Sequence, residues 1–215
     1  GPAHPAGPAA REEPLTGRPM TIAIKALSPD QTTARLDALV EILCDVVDGG
    51  WSVNFLAPMD RSIARRFWQG VVPAVASGDR VLFVAEDASG PVGTVQLEII
   101  RKPNQPHRCE VAKLLVHRRA RRQGVARQLM QAVQTHRAVA RQVARVREVL
   151  QVRRGVAPEA RRQGRTLLTM DTVSGSPAEA LYRGLGFQAA GVIPRYALST
   201  KGTLEDTLVM YKELA

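Results

Sequence analysis

The sequence predicts an α/β (α+β) fold in which a mixed β-sheet is flanked by helices. Three observations carry the prediction. Apolar residues recur at helical spacing in some segments and alternate or run continuously in others, as amphipathic helices and half-buried or buried strands do. The two kinds of segment mingle without strict strand–helix–strand alternation, so a mixed sheet is expected and not a purely parallel one. Finally, 215 residues of which 45% are hydrophobic are enough to bury a sizeable core.

The elements follow in order. Residues 1–20 are rich in Pro, Gly and Ala without apolar periodicity and read as a disordered leader, with Met20 as a native start. Residues 21–26 alternate as a short strand that ends at Ser28-Pro29-Asp30. Leu36, Leu39, Val40, Leu43 and Val47 predict a helix closed by Asp48-Gly49-Gly50. A second helix runs from the N-cap candidate Asp60 to Ala76. Three strands come next, over 81–85, 92–100 and 109–116, with a Pro-Asn-Gln-Pro loop at 103–106. Gly124 opens a long helical segment, and strand character resumes at 167–170. Ser176 and Pro177 start another helix. Strands over 189–198 and 206–212 close a single domain spanning 21–215.

Composition excludes several functions. No run approaches 18 apolar residues, so a membrane-spanning helix is not expected. Two cysteines, Cys44 and Cys109, are too few for a disulfide framework or a zinc site, so no metal is expected. Two thiols without a signal-peptide pattern point to the cytoplasm. The net charge of +10 is concentrated: residues 118–165 hold fourteen arginines and only two acids, Glu148 and Glu159. Such a stripe attracts polyanions, whether nucleic acid, a membrane surface or a phosphate-rich cofactor. No aromatic residue lies within it, so no base-stacking platform accompanies the charge, which argues against nucleic acid.

The most informative stretch is CEVAKLLVHRRARRQGVARQLM at 109–130. A buried-type strand leads into an Arg-rich turn and then into a helix starting at Gly124. Helix N-termini present unpaired N–H groups and a partial positive charge to phosphates, and a glycine there lets a ligand approach the backbone. Arg121-Arg122-Gln123-Gly124-Val125-Ala126, followed at a distance by AEALYRGLGF at 178–187, resembles the two signatures of the GNAT acetyltransferase superfamily. DGGWSVNF (48–55), KPNQPHRCEVAKLLVH (102–117), LLTMDTVSGSPAEALYRGLGF (167–187) and the tail around Pro194-Arg195-Tyr196 are similar to the tabtoxin-resistance branch of that superfamily.

The resemblance implies a mostly antiparallel sheet and acetyl transfer from acetyl-CoA to an amine, with no metal. Its cofactor residues would be Leu114, Leu115 and Val116 on a splayed strand, with Arg119, Arg121, Arg122, Gln123, Gly124, Val125 and Ala126 around the phosphates. It makes Tyr182 the acid for the leaving thiolate, and Glu110 or Asp171 the base, with His107 and His117 as further candidates. Strict alternation puts Glu110, Ala112 and Leu114 on one strand face and Val111, Lys113 and Leu115 on the other. Asp48, Trp51 and Phe55 would bind the acceptor: a carboxylate for an ammonium and two rings for a wall. The acceptor would be a small molecule, a toxin or antibiotic. The alternatives are a protein N-terminus or lysine, and a nucleic-acid-binding protein with a vestigial cofactor site. A homodimer is compatible with all of these.

One feature departs from the family pattern. Forty-two positions separate Gly124 from Thr166, and 138–160 reads as an inserted basic helical excursion ending at Pro158. ARRQG at 120–124 recurs at 160–164, which suggests a local duplication. The first copy follows a strand and opens a helix, and is the expected cofactor site.

Overall fold

The computed structural model describes residues 21–51, 53–102, 104–105, 107–136 and 166–214. Its centre is a seven-stranded sheet of order β1-β2-β3-β4-β5-β7-β6. The strands are β1 (Ala23–Ala26), β2 (Arg80–Asp87), β3 (Gly90–Ile99), β4 (Arg108–Val116), β5 (Thr166–Val173), β6 (Gln188–Leu198) and β7 (Leu204–Leu214). Every neighbouring pair is antiparallel except β4–β5, which is parallel. The sheet is therefore mixed and mostly antiparallel, the GNAT arrangement that the resemblance implies.

Helices cover both faces. Helices α2 (Leu36–Asp48) and α3 (Arg61–Ala76) bury Leu39, Leu43, Val47, Ala64 and Trp68 against Leu82, Val84 and Leu115. On the other face, α4 (Val125–Thr135) and α5 (Pro177–Gly184) pack on Phe83, Val95, Leu97, Val111 and Leu168. Asp60 and Ser176 cap α3 and α5 as expected, accepting from the N–H groups of Ile63 and Glu179.

The structure corrects the sequence reading in two places. Ser28-Pro29-Asp30 does not only end the first strand; it starts α1 (Pro29–Ala34), where Ser28 and Gln31 form a reciprocal capping box. Six residues are too few for periodicity to register. The helix after Gly124 stops early, at Thr135, because His136 adopts an extended backbone (φ −70°, ψ 141°). The leader, the 138–160 excursion and the second ARRQG copy lie outside the described residues. No helix among the described residues is long and apolar enough to cross a membrane. Nor do any three His, Cys, Asp or Glu side chains among them gather as a metal site.

Candidate active site

Strands β4 and β5 form a fork. Their pairing runs only from Arg108–Leu167 to Glu110–Thr169, although β4 continues to Val116 and β5 to Val173. Beyond Glu110 β4 and β5 no longer pair, so that edge of β4 has no strand partner. On its other side β4 pairs with β3, with a bulge opposite Thr94–Gln96. Lys113 sits in that bulge at φ 51°, and the Thr94 hydroxyl donates to its carbonyl at 3.1 Å.

The bulge also inverts the side-chain alternation expected for β4. Cys109 and Val111 face α4, whereas Leu115 faces α2 and α3, so one extra residue has been inserted between them. Glu110 and Lys113, which strict alternation separates, thus share the α2/α3 face.

At the tip of β4 a 3₁₀ turn (Arg118–Ala120) leads to α4. Arg122 and Gly124 are both left-handed, with φ 62° and 76°. Gly124 is the N-cap of α4, and no side chain caps that end. The first N–H groups of a helix have no intrahelical partner, so here they point out of an uncapped turn. Nothing approaches within 4 Å of where a Gly124 Cβ would stand, so the glycine answers a backbone requirement and leaves room for a ligand. Gly93 explains how close α4 comes: a Cβ there would lie 2.9 Å from the Leu115 carbonyl and 3.3 Å from Val125 and Leu129. An uncapped, dipole-positive helix end suits a phosphate-bearing ligand, and the strand edge beside it has no strand partner, which is compatible with the cofactor that the resemblance implies. The backbone of Leu114–Val116 and the turn to Ala126 are the groups able to hold it.

Three arginines of the turn, although partly or largely exposed, bond to the body of the protein. Arg119 pairs with Asp87 and donates to the Pro91 carbonyl at 3.2 Å. Arg121 donates to the Val116 carbonyl at 3.1 Å and to Asp45 at 3.4 Å. Gln123 Nε2 donates to the Arg119 carbonyl at 3.1 Å. Arg122 is exposed. The centre of this bracing is Asp45 on α2, whose side chain is 4% exposed. It accepts from the Arg118 N–H at 2.9 Å and from Arg118 Nε, and lies 3.6 Å from His117 Nε2.

Tyr182 points inward from α5, with its ring 5.9 Å from that of Phe187. Burial, and to a lesser degree the Asp171 carboxylate, push its phenol well above the usual range. Asp171 is exposed on β5, two residues past the last paired position. Glu110 stands at the crotch of the fork, 3.8 Å from Arg108. His107 and His117 lie at opposite ends of β4.

The loop after α2 meets the same face. Phe55 packs edge-on against Phe67 at 5.3 Å, and Lys113 Nζ lies 5.6 Å from both ring centroids. Lys113 also donates to the Val53 carbonyl at 3.0 Å. Asp48 is a loop fastener, since its Oδ1 accepts from the Met59 N–H at 2.8 Å. Trp51 is 39% exposed, and no described contact joins it to the fork. Of the three expected acceptor residues, only Phe55 is brought to β4.

Sequence reasoning missed Asp45, Arg118 and Lys113. Asp45 had no clear signal: with Asp37 and Glu41 it falls on an i, i+4 stripe that reads as solvated, yet it alone of the three is buried. Lys113 had a weak one, a cation inside an apolar strand. Its position depends on a bulge that no local pattern marks.

Residues 78–189 match the family model described as an acetyltransferase (GNAT) domain. Among solved structures, the chain is similar to a ribosomal-protein-alanine N-acetyltransferase from Brucella melitensis (23% identity, TM-score 0.58, covering 89% of this chain and 99% of that one). A phosphinothricin acetyltransferase from Sinorhizobium meliloti, in complex with acetyl-CoA, matches with 20% identity and a TM-score of 0.61, covering 91% and 90%. An N-acetyltransferase from Staphylococcus aureus Mu50 matches with 18% identity and a TM-score of 0.62, covering 91% and 99%.

Proposed function

Because this chain belongs to the GNAT acetyltransferase family, we propose that residues 21–215 act as one unit that moves an acetyl group from acetyl-CoA to the amine of a small molecule. The tabtoxin-resistance resemblance makes a toxin or antibiotic the favoured acceptor class. The observation that carries the reading is the β4/β5 fork opening beside the uncapped N-terminus of α4.

Acetyl-CoA, when bound, supplies an activated acetyl thioester. The N–H groups at the start of α4 and the turn 119–126 hold its diphosphate, with Gly124 leaving the approach open and Arg122 exposed beside it. Leu114–Val116 lend backbone N–H groups to the extended arm and to the acetyl carbonyl, which they polarise. Tyr182, whose phenol burial holds in the protonated form, delivers its proton to the departing sulfur. Asp171 or Glu110 takes the proton of the incoming ammonium, directly or through water. The Asp171 carboxylate also acts electrostatically on Tyr182 and Lys113. Phe55 walls the acceptor side.

Two unpaired, buried thiols, Cys44 and Cys109, support a cytoplasmic location. The test is thiol release from acetyl-CoA with phosphinothricin, spermidine, kanamycin and an alanine-initiated peptide as acceptors. Turnover is expected with a small amine; turnover with the peptide alone would move the acceptor to a protein N-terminus.

A further inference from the structure

Lys113 has a connection to the acceptor loop that the chemistry above does not use. The lysine is at φ 51° in the β4 bulge, while Val53 and Asn54 across from it are at φ 32° and 69°. Asn54 tolerates the left-handed region, but for Lys113, and above all for the β-branched Val53, it persists only where the surroundings over-determine it. The contact that joins the two strained segments is the bond from Lys113 Nζ to the Val53 carbonyl at 3.0 Å. The same ammonium lies 5.6 Å from the Phe55 and Phe67 rings. Its stem therefore comes from the cofactor strand, its head holds the acceptor loop, and one aromatic ring of that loop lies against it.

From this geometry we propose that Lys113 is a positioning residue that latches the loop 53–55 onto β4 and so fixes the acceptor-side wall of the site. This inference rests on the reading of the fork as the acetyl-transfer cleft. The ammonium provides what the loop lacks: a donor for a carbonyl left outside any ladder, and a cation for two ring faces. Burial lowers the Lys113 pKa, while the carboxylates of Glu98 and Asp171 favour its charged form and Arg80 opposes it. Releasing the latch would let Phe55 leave Phe67, widening the acceptor side while the cofactor strand and α4 stay put. Acceptor discrimination would then weaken before acetyl-CoA binding does.

The experiment compares wild type, Lys113→Met and Lys113→Arg. Methionine keeps an apolar stem without the ammonium; arginine keeps a cation and donors. Hydrogen exchange followed by mass spectrometry on peptides covering 49–59 should accelerate roughly tenfold or more in Lys113→Met, with β2 and β3 peptides unchanged. Lys113→Arg should restore most of the protection. In parallel, the kcat/KM ratios among phosphinothricin, spermidine and kanamycin should flatten in Lys113→Met, with acetyl-CoA Kd held within about twofold. Equal exchange at 49–59 in wild type and Lys113→Met would overturn the latch, as would equal acceptor ratios. Calorimetry showing that wild type binds no acetyl-CoA would instead overturn the transferase reading, and the exchange data would still decide the latch.

Discussion

Replacing Asp45 by alanine removes the buried carboxylate that gathers the turn between β4 and α4. The carboxylate accepts the Arg118 N–H at 2.9 Å and the Arg118 guanidinium, and reaches Arg121 at 3.4 Å. Charge-assisted bonds contribute about 1.5–3 kcal/mol each when both partners are dry. The guanidiniums are not dry: the Arg118 and Arg121 side chains are 63% and 35% exposed. They regain water when the anion goes, so their share falls to the 0–1 kcal/mol or so of an exposed pair. What remains is the Arg118 N–H left without its acceptor, worth about 1–3 kcal/mol. A total near 2–3 kcal/mol follows, or a fall in Tm of roughly 5–10 °C for a chain of this size. The same turn presents Gly124, so acetyl-CoA affinity should drop about tenfold, equivalent to about 1.4 kcal/mol. Asp45→Asn keeps an acceptor for the N–H and should lose about half as much stability. Scanning fluorimetry and calorimetry on both variants test this. A folded Asp45→Ala protein with wild-type Tm and wild-type Kd would refute the idea that α2 holds the cofactor turn.

Further outcomes follow from the same geometry. Gly124→Asp should weaken acetyl-CoA at least tenfold in calorimetry. Gly124→Ala, which clashes with nothing at φ 76°, should cost mainly the 1–2 kcal/mol or so of a left-handed residue. Tyr182→Phe should lower kcat by about 10- to 1000-fold with acetyl-CoA Kd unchanged. Because burial raises the Tyr182 pKa, the acid form persists as pH rises, and no alkaline loss of rate below pH about 10 should trace to this residue; unchanged turnover would return Tyr182 to core packing. Glu110→Gln and Asp171→Asn should each reduce kcat/KM, and the double variant more than either, without additivity; a fully active double variant would clear both residues. Burial raises both thiols, Cys109 to about 11, leaving only about one thiolate in a thousand for Cys109 at pH 8. Ellman's reagent should therefore report no fast protein thiol until the fold is opened, and one titrating at once would contradict the burial of Cys44 and Cys109.

The parts of the molecule legible from the sequence are those whose signals are local. Ser176-Pro177 and Asp60 mark helix starts because capping needs only neighbouring residues. The sequence also exposes the Gly124 turn, since a strand, a basic turn and a glycine are contiguous. The resemblance implied a splayed strand, but the parallel β4–β5 pair and its early end at Glu110 were not legible, because pairing between residues 59 positions apart leaves no local trace. The pairing of Arg119 and Arg121 was invisible for a related reason. It depends on Asp87 and Asp45, which come from a distant strand and helix. Asp48, assigned to the acceptor by type, instead spends one oxygen on Met59, a choice made by the loop's closure. Lys113 shows the sharpest limit: one added residue in β4 reverses which side chains meet.

The single parallel pairing also determines where this chain can vary. Two parallel neighbours must be joined by a segment that returns along the whole strand. Here that return leaves α4 at Thr135 and re-enters the sheet at Thr166. Thr135 is a helix length of roughly 16 Å from Gly124, and Thr166 adjoins Leu167, the partner of Arg108 at the closed end of the fork. Both attachment points thus lie away from the opening where Val116 and Val173 diverge. Lengthening a connection costs entropy only logarithmically. Evolution can therefore splice duplicated or foreign sequence into this crossover as into a handle, adding charge or contacts there while the working end of the enzyme keeps its geometry.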